Sequence, residues 1–251
     1  MKGTLVLMPN ALDLGAAEVP LADVLPLGVI HRAAGLQHWA AEDARSARAF
    51  LKRVAAIQPL VLPLQAIAIN ELPRARKGSR EPVPAAAWQE LLQPALAGHD
   101  LGLISEAGLP AVADPGALLV AAAHAAGVPV LPLPGPSSLL LALAASGLNG
   151  QSFAFVGYLP QDAPARAARI KELESQSRRA AQTQLLIETP YRNAQLQVAL
   201  LEVLSPGTRL SVGCGLTLPD GWSRTDTVAA WRARPAQMPD RLPAVWGLLA
   251  G

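Results

Sequence analysis

Cysteine is almost absent from this chain, and aromatic side chains are scarce. The 251 residues include one cysteine, Cys214, which excludes an intrachain disulfide and offers no zinc-ligand pattern. Aromatic residues make up 4% of the sequence, so aliphatic side chains must fill the core. Charged residues are few at 16%, with a net charge of +2, whereas hydrophobic residues reach 51%. This composition excludes a disordered chain and gives only weak support to a nucleic-acid partner.

Charge is missing altogether between Asp114 and Asp162, which raises the question of a membrane span. Gly127 and four prolines from Pro129 to Pro136 interrupt this stretch well before the roughly 20 apolar residues that a spanning helix needs. We therefore expect buried strands and helices here and no membrane segment. The first eight residues meet Pro9 too early for a signal-peptide core, so we expect a first strand and a cytoplasmic location.

Strand-like and helix-like segments alternate along the chain, which is typical of an α/β protein. In the first part, strands are predicted at Thr4–Met8, His38–Ala41, Val61–Ile69, Leu101–Ile104 and Val128–Leu131. The helices between and after them are predicted at Ala44–Val54, Ala85–Ala97, Ala117–Ala126 and Ser138–Ala145, with Asp43 as the cap of the first. This order predicts a mostly parallel sheet with flanking helices.

The apolar pattern pauses near Ser146–Gly150, so we predict two domains, 1–148 and 149–251. Beyond the pause, strands are predicted at Phe153–Val156, Gln184–Ile187, Arg209–Cys214, Thr225–Val228 and Ala244–Leu249. The two helices of this part are predicted at Pro164–Arg179 and Asn193–Leu204. With more strands per helix, the second domain is expected to hold a mixed sheet.

The densest candidate for a binding site is the segment Ser105–Gly116. It follows a buried strand and precedes a helix, where open α/β sheets bind ligands. Gly108 and Gly116 allow a positive φ or a close backbone approach. An ordinary connection in which Asp114 caps the next helix would explain the segment equally well.

A second loop of the same kind is Pro132–Ser138, in which Ser137 and Ser138 could cap a helix or bind a ligand at its positive end. Neither loop matches the dinucleotide glycine fingerprint or a P-loop, so NAD and ATP are not favoured.

The order of several motifs resembles a known family. These are Ala41–Arg45 (AEDAR), Asn70-Glu71, Ser105–Gly116 (SEAGLPAVADPG), Pro132–Pro136 (PLPGP) and Glu188–Arg192 (ETPYR). They resemble the ribosomal RNA small-subunit ribose 2′-O-methyltransferases of the tetrapyrrole methylase superfamily, also called class III S-adenosylmethionine-dependent methyltransferases. Ile104–Gly116, Gly150–Phe155 and Gln182–Asn193 are closer still to an uncharacterised sister group of that family.

The resemblance implies a tetrapyrrole-methylase-like fold, a homodimer, and S-adenosylmethionine bound in a cleft between two domains, with no metal. Carried over by position, the cofactor contacts fall on loops without Lys or Arg, which suits a cationic sulfonium. These residues are Pro9, Ser105, Glu106, Ala107, Gly108, Leu109, Pro110, Ala113, Ser137, Ser138, Ile187, Glu188, Leu216, Thr217 and Ala244.

The implied reaction is methyl transfer, and a hydroxyl acceptor would need a general base. Candidates for that role, or for orienting the acceptor, are Glu42, Asp43, Asn70 and Glu71, with Glu106 beside them. A structural role for each, as helix cap or ion-pair partner of Arg45 or Arg48, is an equally good interpretation.

The acceptor is expected to be RNA or a nucleotide-like molecule. Basic residues that could contact a phosphate backbone are Arg74, Arg76, Lys77, Arg80, Arg166, Arg169, Lys171, Arg178 and Arg179, although a charged helix face is usually only solvated. The segment after the first strand has fewer glycines than in the family, Tyr191 stands where the family has His, and Ala113 replaces Ser. Methylation of a small molecule such as a tetrapyrrole, or binding of the cofactor without transfer, therefore stay open.

Overall fold

The computed structural model describes residues 1–13, 19–74 and 83–251. The chain divides into two compact units, Met1–Ser137 and Ser138–Gly251, each of which is built around one five-stranded sheet. None of the helices in the described part of the chain has the length and apolar character needed to cross a membrane.

The sheet of the first unit consists of five parallel strands. They are β1 (Leu5–Met8), β2 (His38–Ala41), β3 (Ala68–Glu71), β4 (Leu101–Ile104) and β5 (Val130–Pro132). Their spatial order is β3-β2-β4-β1-β5, so β1 and β4 are neighbours in the sheet and their carboxyl ends meet at the same edge. This arrangement confirms the parallel first sheet predicted from the alternation of elements.

Helices cover both faces of this sheet. They are α1 (Leu21–Val24), α2 (Leu27–Ala34), α3 (Ala44–Ala55), α4 (Ala85–Leu91), α5 (Gln93–Leu96) and α6 (Ala117–Ala125). Trp39 of β2 packs with Phe50 of α3 in one core, whereas the next residue, Ala40, belongs to the core that contains Trp88 of α4. Successive residues of a strand point to opposite faces, so both faces of β2 are buried.

The second unit contains a mixed sheet, as predicted. Its elements are α7 (Ser138–Ser146), β6 (Phe153–Phe155), α8 (Ala163–Ala180), β7 (Thr183–Glu188), α9 (Asn193–Val203), β8 (Arg209–Cys214), β9 (Trp222–Thr227), α10 (Val228–Ala233) and β10 (Ala244–Leu249). The order is β6-β7-β10-β8-β9; β6 and β7 are parallel and the other neighbours are antiparallel. Trp231 and Trp246 are fully buried in its main core.

Prolines account for two errors in the predicted elements. The predicted strand Val61–Ile69 is wrong, because a 3-10 turn follows Pro63 at Leu64–Ala66 and β3 begins only at Ala68. The single helix predicted at Ala85–Ala97 is two helices, α4 and α5, and Pro94 lies in the first turn of α5.

Three short helices, α1, α2 and α10, had no prediction at all. Pro20 and Pro26 occupy the N-cap positions of α1 and α2, so their start signals look like loop signals in the sequence. The N-cap of α10 is Thr227, whose side chain accepts from the backbone N–H of Ala230. The sequence pattern predicts a strand over Thr225–Val228 and so places Thr227 in it.

The predicted domain boundary between residues 148 and 149 stays a prediction. The compact units divide earlier, after Ser137, because α7 packs on β8 and β10 and so belongs to the second unit.

Candidate functional site

Asn10 joins the loops that follow β1 and β4. Its backbone N–H donates to the carbonyl of Gly108 at 2.9 Å, and the N–H of Gly108 donates back to the Asn10 carbonyl at 3.2 Å. The Asn10 amide donates to the carbonyls of Glu106 at 2.9 Å and Ser105 at 3.2 Å. The two loops are therefore one hydrogen-bonded structure at the carboxyl edge of the sheet. The sequence pattern did not indicate this linking role of Asn10.

The loop Ser105–Gly116 holds four residues at positive φ. Gly108 has a φ of 69° and Gly116 a φ of 128°, which confirms the prediction that the glycines allow such a backbone here. Ala111 at 66° and Ala113 at 63° adopt the same region despite their Cβ atoms, a conformation that costs roughly 1–2 kcal/mol for each residue. Strain of this kind is common at functional sites.

Glu42 and Glu106 are held together through the backbone at the ends of β2 and β4. The N–H of Glu106 donates to the Glu42 carboxylate at 3.1 Å, and the hydroxyl of Ser46 donates to the Glu106 carboxylate at 3.0 Å. Arg74, after β3, donates to the main-chain carbonyl of Glu42 at 2.7 Å. The structure thus brings together two predicted site residues, one from the first motif and one from the central loop.

Asp114 adds a third carboxyl group to this edge of the sheet. Burial, and then the charges of Glu42 and Glu106, raise its pKa from the usual 3.8 to about 7. It does not cap the helix that follows, because the N-cap of α6 is Gly116 and no side chain bonds to that helix start. The interpretation of Asp114 as a helix cap was therefore wrong.

Asp43 and Glu71 both satisfy backbone amides at the start of α3. Asp43 accepts from the N–H of Ser46 at 2.8 Å, which confirms the predicted cap, and this hydrogen bond is the main cause of its lowered pKa. Glu71 accepts from the N–H of Ala44 at 3.0 Å. Asn70, by contrast, is an exposed residue of the edge strand β3. A structural role is thus visible for Asp43 and Glu71, while their catalytic role stays a prediction.

Two pockets border these side chains within the first unit. One, of about 400 Å³, is lined by Asn10, Asp43, Arg45, Ser46, Ala49, Phe50, Arg53 and Glu106. The other, of about 420 Å³, is lined by Glu42, Arg74, Trp88 and Asp114 together with mostly apolar residues. No group of metal-ligating side chains occurs within residues 1–13, 19–74 and 83–251.

Ser105 contributes a buried hydroxyl at the start of the central loop. Its residue is 2% exposed, and its Oγ has no hydrogen-bond partner in the described part of the protein. A buried hydroxyl without a partner is costly, so this atom suits a ligand that would complete its hydrogen bond. Pro9, at the end of β1, packs closely on Gly135, where an added Cβ would lie 2.2 Å from the Pro9 Cβ.

The predicted cofactor contacts of the second unit gather at one edge of its sheet. Ala244 of β10 is paired with Glu188 of β7 on one side and Cys214 of β8 on the other. Ile187 and Leu216 pack on the cluster that includes Leu139 of α7, the helix that begins at Ser138.

Glu188 and Thr217 differ in their side-chain bonds and backbone conformation. The Glu188 carboxylate is buried and bound by Arg192 at 3.0 Å and by the N–H of Thr189 at 2.8 Å. Thr217 has a φ of 78°, which is rare for a β-branched residue. Glu188 is thus committed to local structure, whereas Thr217 is strained like the central loop of the first unit.

The basic residues predicted to contact RNA are distributed unevenly. Arg166 is buried and donates to the carbonyl of Gln161, and Arg169 pairs with Glu172 at 2.6 Å. Lys171, Arg178 and Arg179 are exposed on α8. Arg76, Lys77 and Arg80 lie outside the described residues.

A family model described as Tetrapyrrole (Corrin/Porphyrin) Methylases matches residues 36–230. Two curated proteins, both named ribosomal RNA small subunit methyltransferase I, are also similar. The one from Vibrio cholerae is 40% identical over 116 residues, which are 46% of this chain and 39% of that protein. The one from Mesorhizobium japonicum is 37% identical over 144 residues, which are 57% of this chain and 48% of that protein. The chain therefore matches less than half the length of these relatives.

Solved structures show the same fold over nearly the whole chain. The methyltransferase CobJ has a TM-score of 0.58 at 17% identity, over 99% of this chain and 100% of that one. Uroporphyrin-III C-methyltransferase from Thermus thermophilus, in complex with S-adenosylhomocysteine, has a TM-score of 0.50 at 17% identity, over 98% and 97%. These likenesses confirm the predicted fold class.

Proposed function

Because the chain belongs to the tetrapyrrole (corrin/porphyrin) methylase family, we propose that it is an S-adenosylmethionine-dependent methyltransferase that acts on RNA or a nucleotide-like acceptor. The observation that carries the proposal is the loop Ser105–Gly116, joined to the loop after β1 through Asn10, in a chain whose curated relatives are named ribosomal RNA methyltransferases. An RNA acceptor would place the reaction in the cytoplasm.

The residues at this edge suit S-adenosylmethionine. Its sulfonium is cationic, and the loop Ser105–Gly116 offers backbone carbonyls and Glu106 but no Lys or Arg. The buried Ser105 hydroxyl lacks a partner among the described residues and could bond to a polar group of the cofactor. The positive φ at Gly108, Ala111 and Ala113 turns the backbone sharply around this loop.

The cofactor contacts that we propose are those implied by the family resemblance. In the first unit they are Pro9, Ser105, Glu106, Ala107, Gly108, Leu109, Pro110, Ala113 and Ser137. In the second unit they are Ser138, Ile187, Glu188, Leu216, Thr217 and Ala244.

When bound, S-adenosylmethionine supplies a methyl group on a sulfonium that is already a good leaving group. The chain's own residues then have to hold the acceptor in line with that methyl, a positioning effect that can supply several kcal/mol. The hydrogen bonds of Asn10 to Ser105, Glu106 and Gly108 restrain the loop. Less ordering is then needed on binding.

Calorimetric titration with S-adenosylmethionine tests the proposal, with ATP and NAD as controls. We expect saturable binding of S-adenosylmethionine and S-adenosylhomocysteine alone. Methyl-labelled cofactor then identifies the acceptor class by transfer into unmodified small-subunit ribosomal RNA or into a small-molecule fraction. Binding with no methylated product in either fraction would show a protein that binds the cofactor without transferring its methyl group. Absence of binding would overturn the proposed function and leave only the fold assignment.

Gly108→Val should abolish binding of S-adenosylmethionine. Its φ of 69° disfavours any side chain and a β-branched one most, and a Cβ there would already lie 3.3 Å from the Leu12 side chain, so the loop backbone would be strained. Gly147→Val is the matched control, because Gly147 has a φ of 64° but nothing within 4 Å of an added Cβ. If both variants bind the cofactor normally in the same calorimetric titration, the proposed position of the site is wrong.

A further inference from the structure

The pocket of about 420 Å³ in the first unit is lined by both polar and apolar side chains. The polar ones are Glu42 after β2, Arg74 after β3, and Asp114 in the loop between β4 and α6. The apolar ones are Trp88 of α4 and Leu118 of α6, with Leu72, Pro73, Val83, Pro115 and Ala117. Such a cavity, mostly apolar with a few converging polar groups, is the usual form of a small-molecule site.

Of the two carboxylates that line this pocket, Asp114 is the one whose side chain has no hydrogen bond or ion pair among the described residues. Helix α6 begins without a side-chain cap. Ala113 and Gly116, on either side of it, both have a positive φ. Glycine adopts a positive φ freely, whereas Ala113 does so at a cost, so the backbone next to Asp114 is strained.

Glu42 and Glu106 differ from Asp114 because they serve the local structure. Glu42 accepts from the N–H of Glu106 at 3.1 Å, and Glu106 accepts from the Ser46 hydroxyl at 3.0 Å. Both side chains are therefore held in place by hydrogen bonds. Two fixed negative charges beside a third carboxyl group make that third group a stronger base.

The other charged groups near Asp114 within the described chain do not offset the influence of the two glutamates. Arg74 is the cation at the pocket, and its guanidinium donates to the Glu42 main-chain carbonyl. The first two turns of α6 carry no charge, and Glu90, the charged residue of α4, is exposed. Burial and the two glutamates together raise the pKa of Asp114 to about 7, the range in which a general base works best at neutral pH.

We propose that Asp114 is the general base of the transfer reaction, and that the pocket lined by Glu42, Trp88 and Asp114 receives the hydroxyl-bearing part of the acceptor. This inference rests on the proposed methyltransferase function. The hydroxyl oxygen bonds to the methyl carbon while the carbon–sulfur bond breaks and its electron pair stays on sulfur. The hydroxyl proton passes to the Asp114 carboxylate and later to solvent. The acceptor group that enters is uncharged, because Glu42, Glu106 and Asp114 would repel a phosphate.

The pH dependence of methyl transfer into unmodified small-subunit ribosomal RNA tests this role. For the unsubstituted protein, kcat/KM should rise about tenfold per pH unit up to about pH 7 and then level off. Asp114→Asn should lower the plateau at least 100-fold and remove this rise. Glu42→Gln keeps an acceptor for the Glu106 N–H but removes a negative charge, so the rise should move to lower pH.

Asp23→Asn is the matched control, since Asp23 is an exposed residue of α1 and its substitution should leave the pH profile unchanged. Transfer by Asp114→Asn at a rate within threefold of the unsubstituted protein, with the same profile, would overturn the inference. The inference would also be overturned if the rise of kcat/KM with pH occurred in the same pH range in Glu42→Gln as in the unsubstituted protein.

A second readout does not depend on turnover. Carbon-13 NMR of the aspartate carboxyl groups, with the Asp114 signal assigned by its absence in Asp114→Asn, gives the ionisation midpoint directly. A midpoint near 7 that falls in Glu42→Gln supports the inference even if this RNA accepts no methyl, whereas a midpoint near 4 overturns it. Calorimetry with S-adenosylmethionine reports separately on the proposed function, so the two can fail independently.

Discussion

Glu174 and Glu188 differ from Asp114 in the groups that surround their carboxylates. Glu174 is bound by Ser205 and Thr208, and Glu188 is bound by Arg192 and Thr189, so each charge is compensated where it lies. Asp114 has neighbours of its own sign instead, and its pKa rises to about 7. A compensated carboxylate stabilises a fold, whereas one placed like Asp114 makes ionisation unfavourable.

Removal of the Asp114 charge should stabilise the protein at high pH. Because its folded pKa lies above the unfolded value of 3.8, the stability it contributes is complete below pH 3.8 and is lost as pH rises through about 7. The free energy of unfolding of Asp114→Asn, relative to the unsubstituted protein, should therefore increase by about 1–2 kcal/mol between pH 5 and pH 8.5, after allowance for screening.

Urea unfolding at the two pH values measures this difference, with Asp23→Asn as the control at an exposed aspartate. A difference between Asp114→Asn and the unsubstituted protein that does not change with pH would show that Asp114 ionises normally.

Helix α3 begins where the predicted catalytic carboxylates gather, and its first amides use two of them. Asp43 accepts from Ser46 and Glu71 accepts from Ala44, so the N-terminus of the helix is capped by its own N-cap residue and by the last residue of β3. Both carboxylates also lie at the positive end of the helix dipole. Their positions are therefore explained by the helix before any chemistry is invoked.

Asp43→Ala should lower the free energy of unfolding by about 1 kcal/mol, the usual cost of a lost N-cap. Asp43→Ser should recover most of this loss and keep methyl transfer, because a serine hydroxyl can accept the same N–H. Asp162→Ala is the matched control, since Asp162 caps α8 in the same way through Ala165. Loss of transfer in Asp43→Ser at normal stability would instead support the predicted catalytic role of Asp43.

The whole chain presents large apolar side chains on its surface. Leu118 of α6 is 58% exposed and Leu140 of α7 is 52% exposed. Single exposed apolar residues are common on monomeric proteins, so the proposal of a homodimer rests on the family resemblance.

Sedimentation equilibrium of the purified protein should give a mass of twice the 26.1 kDa of one chain. Dilution should shift the average mass towards that of the single chain if the association is reversible, because dimer formation depends on concentration. A mass of one chain at every concentration would rule out the homodimer.

The alternation of elements, the parallel first sheet, the mixed second sheet and the Asp43 cap could all be predicted from the sequence. Each depends on hydrophobic periodicity or on a hydrogen bond between residues a few positions apart. The position of the central loop could be predicted for the same reason, because it lies between a buried strand and a helix.

Only the tertiary structure decided which side chains of this loop bond to the rest of the fold and which one, Asp114, is available for catalysis. The raised pKa of Asp114 comes from burial and from Glu42, a residue that β2 brings beside β4 from far away in the sequence. The link from Asn10 to Ser105, Glu106 and Gly108 joins the ends of two strands that are neighbours only in the folded sheet. Electrostatic interactions and hydrogen bonds depend on the distances between groups in space. For residues far apart in the sequence, these distances are set only when the chain folds.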